Sequence, residues 1–441
     1  GAYQVDRDGS AATTNDRTTL RSAYILFDIT DPESKPELIA EITHPDMGYT
    51  LADPEIIKRR SPNANGSYTS NLGANDWFMV FGSGPQGPDA VKEAISNVPA
   101  KLFYLNLKNA VDGNPQLTAI NVDASDRKSF VGGITAKDWS KNYHDDMIYF
   151  GLVGDANRGS SVPSPAPAVY KGALKQGVVA ASGNSILSAA TVTSLLTSST
   201  TNLAFSSAPL AVRDGVGQFW VFTGTGRFLV NRDVDLNDAN LYFGLKVNDT
   251  ANNAPKPWLT NSGIALTSLR NVTTDRLYVN DDGDFIVNTP IGIRTMTQYL
   301  SDIASTSGWY RSLPGSKESN FTRSAFYEGT LVFNSYMPSL NMCDIGGQSP
   351  QYILDMFTGL PQYRLKNLFK GSDTLQTGVE SYIEVAPVGT LIDGIPSAPV
   401  IANARAITQT SDASLISTDV TLAPIPPVRK GWREILSEEL R

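Results

Sequence analysis

The chain has 441 residues, of which 18% are charged, and its formal net charge is −8. A charged fraction below the roughly 25% typical of soluble domains favours a turn-rich β protein, as do the 36 Gly and 26 Pro residues. The acidic balance argues against a basic, phosphate-binding face, so no nucleic-acid partner is expected. No run approaches the ~18 apolar residues that a membrane span needs.

Short segments rich in β-branched and aromatic residues alternate with Gly, Pro, Asn and Asp along the chain. This alternation is typical of strands separated by tight turns. The clearest predicted strands are residues 22–28, 76–82, 102–107, 218–222, 329–334 and 351–355. The sequence therefore predicts an all-β fold.

Helical periodicity is rare in this sequence. Only residues 184–196 and 295–304 carry apolar side chains at the spacing of one helix face. Both stretches lie between strand-rich regions. We therefore expect two short helical insertions in a β fold.

A small residue and a proline recur shortly before apolar strands. The recurrences are residues 52–57, 165–170, 207–212 and 397–401. Repeats of a small sheet that cannot bury both faces alone favour a propeller, in which each blade covers its neighbour. A pair of β-sandwiches is the alternative, but the sequence has no long Pro/Ser-rich linker between two halves.

Oxygen-bearing side chains occupy positions 1, 3, 5 and 9 of one short loop, as Asp138, Ser140, Asn142 and Asp146. Calcium needs several oxygen ligands at short range, and alternate residues of a tight loop point towards a common centre. At position 7, His144 offers its backbone carbonyl. The pattern predicts a calcium site, and its alternative is an Asn/Asp turn that caps its own backbone.

The loop departs from an EF-hand. An EF-hand has Gly at position 6 and Glu at position 12, whereas this loop has Tyr143 and Tyr149. It runs directly into residues 147–150, an apolar segment of strand type. We therefore expect the loop to belong to a β-hairpin.

Two other acidic clusters resemble cation sites less closely. Asp233, Asp235 and Asn237 have the correct start, but Leu241 stands where the closing carboxylate is needed. We expect a solvated turn there. Residues 280–284 (NDDGD) surround a glycine between two strands, which favours a tight hairpin turn over a metal site.

Features of a catalytic site are sparse. The sequence holds only two histidines, His44 and His144, and His44 lies in a Thr-His-Pro-Asp turn where a structural role is expected. Residues 224–228 (GTGRF) lack the third glycine of a dinucleotide fingerprint and are predicted to be a turn that closes a strand. We expect no enzymatic activity.

Six tryptophans are expected to anchor interfaces between sheets, because aromatic side chains bury large areas. They are Trp77, Trp139, Trp220, Trp258, Trp309 and Trp432. A sugar-binding platform is the less favoured alternative for these rings.

Several motifs, in this order, resemble the C-terminal propeller of the PilC/PilY family of type IV pilus tip-associated proteins. They extend from about residue 21 to residue 435. They are residues 27–33 (FDITDPE), 43–49 (THPDMGY), 77–85 (WFMVFGSGP), 130–133 (FVGG), 223–229 (TGTGRFL), 308–314 (GWYRSLP), 330–339 (TLVFNSYMPS) and 431–435 (GWREI).

The resemblance implies a modified seven-bladed, quinoprotein-like β-propeller over residues 21–436. Residues 1–20 are then a tail that continues from a missing upstream adhesin region, and residues 437–441 are a C-terminal tail. The family's calcium loop maps onto Asp138, Ser140, Asn142 and Asp146, with Ser140 in place of a carboxylate. Cys343 is then expected either to pair with a cysteine of the missing region or to be a buried thiol.

The function implied is that of a non-enzymatic pilus biogenesis and tip factor outside the cell, at the pilus tip or the outer membrane. Its expected partners are minor pilins, the pilus assembly apparatus and a host or abiotic surface, with calcium controlling assembly, retraction and attachment. The alternatives are a quinoprotein-like dehydrogenase and an extracellular glycan-binding propeller, since a shared fold does not fix function.

Overall fold

A computed structural model describes residues 2–6, 17–60, 75–87, 90–123, 128–154, 172–180, 185–197, 203–215, 217–235, 239–247, 263–339 and 346–423. No helix in these ranges is long and apolar enough to cross a membrane.

The strands of the first half are β1 (Ala2–Asp6), β2 (Arg17–Arg21), β3 (Tyr24–Asp28), β4 (Glu37–Ile42), β5 (Glu55–Arg60), β6 (Asn75–Gly82), β7 (Lys101–Asn106), β8 (Leu117–Asn121), β9 (Ser129–Lys137), β10 (Met147–Gly154), β11 (Ala173–Val178), β12 (Val192–Ser194), β13 (Leu196–Thr197), β14 (Leu210–Arg213), β15 (Phe219–Gly224) and β16 (Leu241–Lys246).

The strands of the second half are β17 (Ile264–Ala265), β18 (Arg270–Asn271), β19 (Arg276–Val279), β20 (Phe285–Thr289), β21 (Gly292–Thr295), β22 (Gly308–Ser312), β23 (Ala325–Tyr327), β24 (Thr330–Asn334), β25 (Gln348–Asp355), β26 (Lys370–Thr377), β27 (Glu380–Val385), β28 (Val388–Asp393), β29 (Val400–Ala402), β30 (Arg405–Gln409) and β31 (Leu415–Asp419).

The described ranges also contain three α-helices, α1 (Ala90–Glu93), α2 (Leu107–Val111) and α3 (Met296–Ala304). The prediction of a helix at residues 295–304 is confirmed. Thr295 is its N-cap, and its hydroxyl oxygen accepts a hydrogen bond from the Gln298 amide at 3.3 Å. The prediction of a helix at residues 184–196 is wrong, because that stretch holds a short 3-10 turn (Ala189–Thr191) and then β12 and β13.

Within the part of the chain that the structure describes, six sheets follow one another in sequence order. They are sheet A (β3 and β4), sheet B (β5 to β8), sheet C (β9 to β12), sheet D (β14, β15, β16, β22 and β18), sheet E (β23, β24, β25 and β28) and sheet F (β29 to β31). All six clear strand predictions fall within them, so the expected all-β class is confirmed.

Each sheet packs on the next one in chain order. Five clusters of buried apolar residues join A to B, B to C, C to D, D to E and E to F. Representative pairs across the five interfaces are Ile42 and Phe81, Val80 and Phe150, Tyr149 and Phe219, Trp309 and Leu354, and Ile353 and Ala406. A succession of antiparallel sheets that each cover the next is the organisation of a β-propeller.

The recurring proline marks the entrance to a sheet. Pro54 directly precedes β5, Pro209 directly precedes β14, and Pro399 directly precedes β29. These strands are the first of sheets B, D and F. The fourth recurrence, residues 165–170, lies outside the described residues.

Insertions from two neighbouring sheets build a further sheet. Strands β19 to β21 lie in the chain between β16 and β22 of sheet D, and β26 and β27 lie between β25 and β28 of sheet E. They pair in the order β21-β20-β19-β27-β26, with Leu277 of β19 opposite Val385 of β27. We call this the accessory sheet.

The N-terminal segment assigned to a tail contains a hairpin. Strands β1 and β2 pair antiparallel, with Ala2 opposite Arg21. Strand β2 ends at the proposed boundary of the propeller. The C-terminal boundary at residue 436 lies outside the described residues.

Candidate metal site

The Asp138 loop, residues 138–146, connects β9 to β10. These strands form an antiparallel hairpin in which Lys137 lies opposite Met147. The Asp146 amide donates to the Lys137 carbonyl at 2.9 Å and closes the loop at its base. The predicted β-hairpin is therefore present.

The first carboxylate of the loop turns back over the loop's own backbone. Asp138 is half-buried, and its Oδ2 accepts the Tyr143 amide at 2.7 Å. Its Oδ1 accepts the Asn142 amide at 3.3 Å. These two bonds fix the carboxylate on the inner side of the turn.

The last carboxylate holds the other half of the turn. Oδ2 of Asp146 accepts the amides of Trp139 at 2.9 Å and Ser140 at 2.8 Å. Both carboxylates therefore bind amides of the same short stretch, residues 139–143. The sequence correctly places them on one loop.

The remaining predicted ligands lie on the same turn. The Ser140 hydroxyl donates to Asp138 Oδ1 at 3.4 Å, and Asn142 Oδ1 accepts the His144 amide at 2.9 Å. Tyr143 has a φ of 66°, the left-handed conformation that an EF-hand obtains from Gly at position 6. The loop thus adopts the sharp bend at position 6 without a glycine.

Asp145 ties the loop to the first strand of sheet B. Its amide donates to the Lys58 carbonyl at 2.9 Å, and its Oδ2 accepts the Lys58 amide at 2.8 Å. Burial raises the pKa of Asp145 to about 6, with further contributions from the carboxylates of Asp138, Glu55 and Asp146. The negative charges of these neighbouring carboxylates therefore add to the effect of burial on Asp145.

The candidate ligand atoms of the loop are of the type that calcium prefers. All are oxygens, and the hydrogen bonds of Asp146 to the loop use Oδ2 rather than Oδ1. Among the residues that the structure describes, no group of three or more His, Cys, Asp or Glu side chains converges on one point. A cation at this loop would therefore be held by two carboxylates and neutral oxygens. The hydrogen bonds from the loop amides to Asp138 and Asp146 are also those of a turn that caps its own backbone. The geometry is therefore compatible with a calcium site and with a self-capped turn.

The second acidic cluster is not the solvated turn that the sequence predicts. Asp233 is only 4% exposed, and its Oδ1 accepts Nε of Arg227 at 3.0 Å. Its Oδ2 accepts the amides of Leu229 and Val230 at 2.7 and 3.1 Å. The prediction of a solvated turn fails because the buried guanidinium of Arg227, six residues earlier, pairs with Asp233.

Arg227 also connects two sheets. Its guanidinium donates to the carbonyl of Ala94 at 2.8 Å and to that of Glu93 at 2.7 Å, at the end of α1. Arg232 forms a second bridge, to the Glu93 carboxylate at 2.9 Å. Because α1 belongs to the connection within sheet B, this Arg227 clamp links it to the loop after β15 of sheet D. The sequence alone predicts only a turn at this point.

The third acidic cluster is the predicted hairpin turn. Residues 280–284 connect β19 to β20, and Gly283 has a φ of 87°. The Asn280 side chain accepts the Asp284 amide at 2.7 Å. His44 likewise has the expected structural role, since its Nδ1 accepts the Asp46 amide at 3.0 Å and its carbonyl accepts the Met47 amide.

Three tryptophans anchor sheet interfaces as predicted. Trp139, Trp220 and Trp309 are at most 1% exposed. Trp139 packs edge-on against Phe219 of sheet D, and Trp309 donates to the carbonyl of Met356, directly after β25 of sheet E, at 2.9 Å. Trp77 departs from the prediction because it is 46% exposed, with the Lys58 ammonium 5.3 Å from its ring. Trp258, Trp432 and Cys343 lie outside the described residues.

A groove of about 270 Å³ lies beside the Arg227 clamp. It is lined mainly by apolar side chains, among them Leu51, Val91 and Leu229. Its lining includes no carboxylate, imidazole or amine side chain from the residues that the structure describes. The groove therefore offers a mainly apolar surface, with Ser22, Tyr49 and Thr50 as its polar lining.

A solved structure resembles this chain in fold. The chain is similar to the C-terminal domain of PilY1 of Pseudomonas aeruginosa, with a TM-score of 0.55 and 16% sequence identity. The match covers 92% of this chain and 79% of the PilY1 domain. The chain has the fold of that domain.

Neither family models nor curated proteins match the sequence. The similarity to the PilY1 domain is thus one of structure, and at 16% identity it establishes the fold alone. The sequence-based prediction of a propeller like that of the PilC/PilY proteins is confirmed at this level.

Proposed function

We propose that this chain is the propeller domain of a non-enzymatic, extracellular factor of the type IV pilus. The observation that carries the proposal is the similarity in fold to the PilY1 C-terminal domain over 92% of the chain. The ordered motifs from residue 27 to residue 435 support it independently, because they resemble the same family in sequence.

In this proposal the domain acts by binding. Its partners are minor pilins and the pilus assembly apparatus, and its place is the pilus tip or the outer membrane. An upstream adhesin region would contact the host or abiotic surface, while the propeller supports assembly and the control of retraction. The mainly apolar groove beside the Arg227 clamp suits contact with an apolar part of a partner.

Calcium at the Asp138 loop is the proposed control. Asp138, Asn142 and Asp146 would bind the ion through side-chain oxygens, His144 through its carbonyl, and Ser140 directly or through water. The ion would neutralise two carboxylates that face the same turn. Calcium is favoured over magnesium because its larger shell accepts mixed backbone and side-chain oxygens.

The test is a binding assay between this chain and purified minor pilins, with and without millimolar calcium. We expect capture of at least one minor pilin, stronger with calcium and independent of calcium in Asp146→Ala. Asp284→Ala is the matched control, since it removes a carboxylate from a hairpin turn elsewhere.

Two results would contradict the proposal. Failure of every minor pilin to bind the folded chain would remove the pilus function. Turnover of alcohols with added quinone would replace it with the dehydrogenase alternative. Binding of pilins that calcium does not affect would withdraw the calcium control alone.

A further inference from the structure

Sheet A covers only part of the sheet B face on which it packs. Sheet A has two strands and sheet B has four. Met79 and Phe81 of β6 are buried in the cluster that joins the two sheets. Trp77 stands two residues before Met79, on the same face of β6, and is 46% exposed. The cover that sheet A provides therefore ends between Met79 and Trp77.

The uncovered part of this face continues onto the neighbouring strand β5. There, Ile56 lies opposite Met79, and Lys58 lies opposite Trp77. Ile56 is 47% exposed. Because residues that lie directly opposite each other share a face, Ile56, Lys58 and Trp77 form one continuous surface.

Tyr143 adds a second aromatic ring to this surface from the Asp138 loop. Its side chain is 72% exposed. The Lys58 ammonium lies 5.9 Å from the centroid of the Tyr143 ring and 5.3 Å from that of the Trp77 ring. Contacts of this length between an ammonium and an aromatic face are attractive. We call Ile56, Lys58, Trp77 and Tyr143 the Lys58 surface.

The backbone of the Lys58 surface is closed to strand addition. An edge strand can bind an extended partner through its unpaired amides and carbonyls. Strand β5 is an edge of sheet B, but Asp145 bonds both the amide and the carbonyl of Lys58. A partner therefore meets this surface through side chains.

The charge that the Lys58 surface presents is positive. Among the residues that the structure describes, no carboxylate forms an ion pair with Lys58. Two neighbouring carboxylates bind amides instead: Glu55 accepts the Ala136 amide at 3.0 Å, and Asp145 accepts the Lys58 amide at 2.8 Å. An ammonium among aromatic and apolar groups is complementary to a carboxylate that stands among apolar side chains.

The residue types of the Lys58 surface favour a protein partner over a sugar. Tryptophan and tyrosine are enriched among the side chains that dominate the binding energy of protein interfaces. A sugar ring needs an open aromatic face on which to stack. The faces of Trp77 and Tyr143 that turn towards Lys58 already hold its ammonium.

We propose that the Lys58 surface binds an acidic, apolar segment of a protein partner. The partner's carboxylate lies against the Lys58 ammonium, and its apolar side chains lie against Ile56 and Trp77. This inference rests on the proposed function and names the surface at which a minor pilin binds. It also links binding to the Asp138 loop, because the Tyr143 amide donates to Asp138 Oδ2 at 2.7 Å.

Affinity measurements on variants of the full chain test the proposal. Purified minor pilins are titrated against the unmodified chain, Trp77→Ala and Lys58→Glu, and circular dichroism checks the fold of each variant. We expect the Kd to rise at least about tenfold in each variant, because one loses the aromatic anchor and the other reverses the complementary charge. The effect of Lys58→Glu should shrink at high salt, since salt screens exposed charges.

Matched controls lie on two other exposed surfaces. Lys370→Glu makes the same charge change at an exposed position of the accessory sheet, and Phe27→Ala removes a ring that is 50% exposed on sheet A. Both should leave the Kd unchanged. Weaker binding in Phe27→Ala but not in Trp77→Ala would assign docking to sheet A and overturn the proposal. Equal effects of Lys58→Glu and Lys370→Glu would also overturn it, since net charge alone would then explain them.

A copolymer of glutamate and tyrosine is a second probe, and it does not depend on the pilus. We expect calorimetry to show that Lys58→Glu binds it at least about tenfold more weakly than the unmodified chain does. Copolymer binding that needs Lys58, without binding of any minor pilin, would remove the pilus function and keep this surface. Pilin binding that neither Trp77→Ala nor Lys58→Glu weakens would keep the pilus function and overturn this surface. Absence of binding by both probes would overturn both.

Discussion

The Asp138 loop and the Asp233 loop begin alike in sequence and differ in structure. Both present an aspartate followed at alternate positions by further oxygen-bearing side chains. In the first loop the carboxylates of Asp138 and Asp146 bind only backbone amides and the Ser140 hydroxyl. In the second, Asp233 is buried against the guanidinium of Arg227.

The difference shows what decides the role of an acidic turn. Arg227 neutralises Asp233 with a cation from the protein itself, so that the pair becomes part of the core. The Asp138 loop contains the carboxylates of Asp138, Asp145 and Asp146 and no arginine of its own, so a bound ion would have to supply the neutralising charge. Both loops place oxygen-bearing side chains at positions 1, 3 and 5, and the arginine is the distinguishing residue.

The largest expected effect comes from breaking the Arg227 clamp. Asp233→Ala leaves the guanidinium buried without its carboxylate, which should lower the free energy of unfolding by about 3–5 kcal/mol. Chemical denaturation measures it. Asp235→Ala is the control, since that side chain is 77% exposed. Its ion pair is a long one, with 3.6 Å between Asp235 Oδ1 and Lys317 Nζ. Similar midpoints for the two variants would show that the clamp is not structural.

Asp355 is a buried aspartate that, unlike Asp233, accepts no hydrogen bond from an arginine among the described residues. Asp355, at the end of β25, accepts hydrogen bonds from the amides of Phe357 and Thr358 and from the Thr358 hydroxyl. Burial nevertheless raises its pKa from 3.8 to about 6. The folded state therefore binds this proton more tightly than the unfolded state does.

The sign of the pH effect follows. Stability from Asp355 is fully present below pH 3.8 and falls as the pH rises through about 6, by about 3 kcal/mol. Asp355→Asn should flatten that part of the curve when the free energy of unfolding is measured between pH 4 and pH 7. Asp281→Asn, in an exposed turn, controls for the loss of one charge. An unchanged slope in Asp355→Asn would contradict the assignment.

Calcium is expected to stabilise the chain through the Asp138 loop and not through the Asp233 loop. A ligand at about 100 times its Kd stabilises a protein by about 2.7 kcal/mol. Calcium should raise the melting temperature of the unmodified chain, Asp146→Ala should abolish the shift, and Ser140→Asp should enlarge it by adding a carboxylate. Asp233→Asn leaves the Asp138 loop intact and should keep the calcium response. No shift in the unmodified chain would leave the loop as a self-capped turn.

Local chemistry explains which elements the sequence predicts. Residues 295–304 carry a capping pair, Thr295 and Gln298, that holds the first turn of α3. In residues 184–196 the Thr191 hydroxyl also accepts the Ser188 amide, at 3.2 Å, but this pair closes only a 3-10 turn, and Val192–Ser194 pair with β11 instead. Helical spacing in the second stretch was misleading because its β-branched residues favour a strand.

Contacts between segments that are far apart in the sequence could not be predicted from sequence patterns. The accessory sheet joins β19 to β27, which are separated by about a hundred residues and belong to insertions of different sheets. The Arg227 clamp joins α1 to a loop more than 130 residues later. No spacing within either segment encodes these contacts. In the Asp138 loop all predicted ligands lie within nine residues, which is why sequence places them together.

The smallest predicted effect concerns the bend of the Asp138 loop. Tyr143 has a φ of 66° and is 72% exposed, and its amide is the one that Asp138 Oδ2 accepts at 2.7 Å. A left-handed conformation costs an ordinary residue about 1–2 kcal/mol, and Asn tolerates it better. Tyr143→Asn should therefore stabilise the hairpin by up to about 1 kcal/mol without calcium.

The control is Tyr143→Val, which is β-branched and should destabilise the hairpin. Both variants lack the aromatic ring, which lies 5.9 Å from the Lys58 ammonium. Because that loss is shared, the difference between Asn and Val in denaturation midpoint reports the backbone alone. Equal midpoints would mean that the bend at position 6 is not held in the left-handed region, and the likeness of this loop to a calcium-binding turn would lose its strongest geometric support.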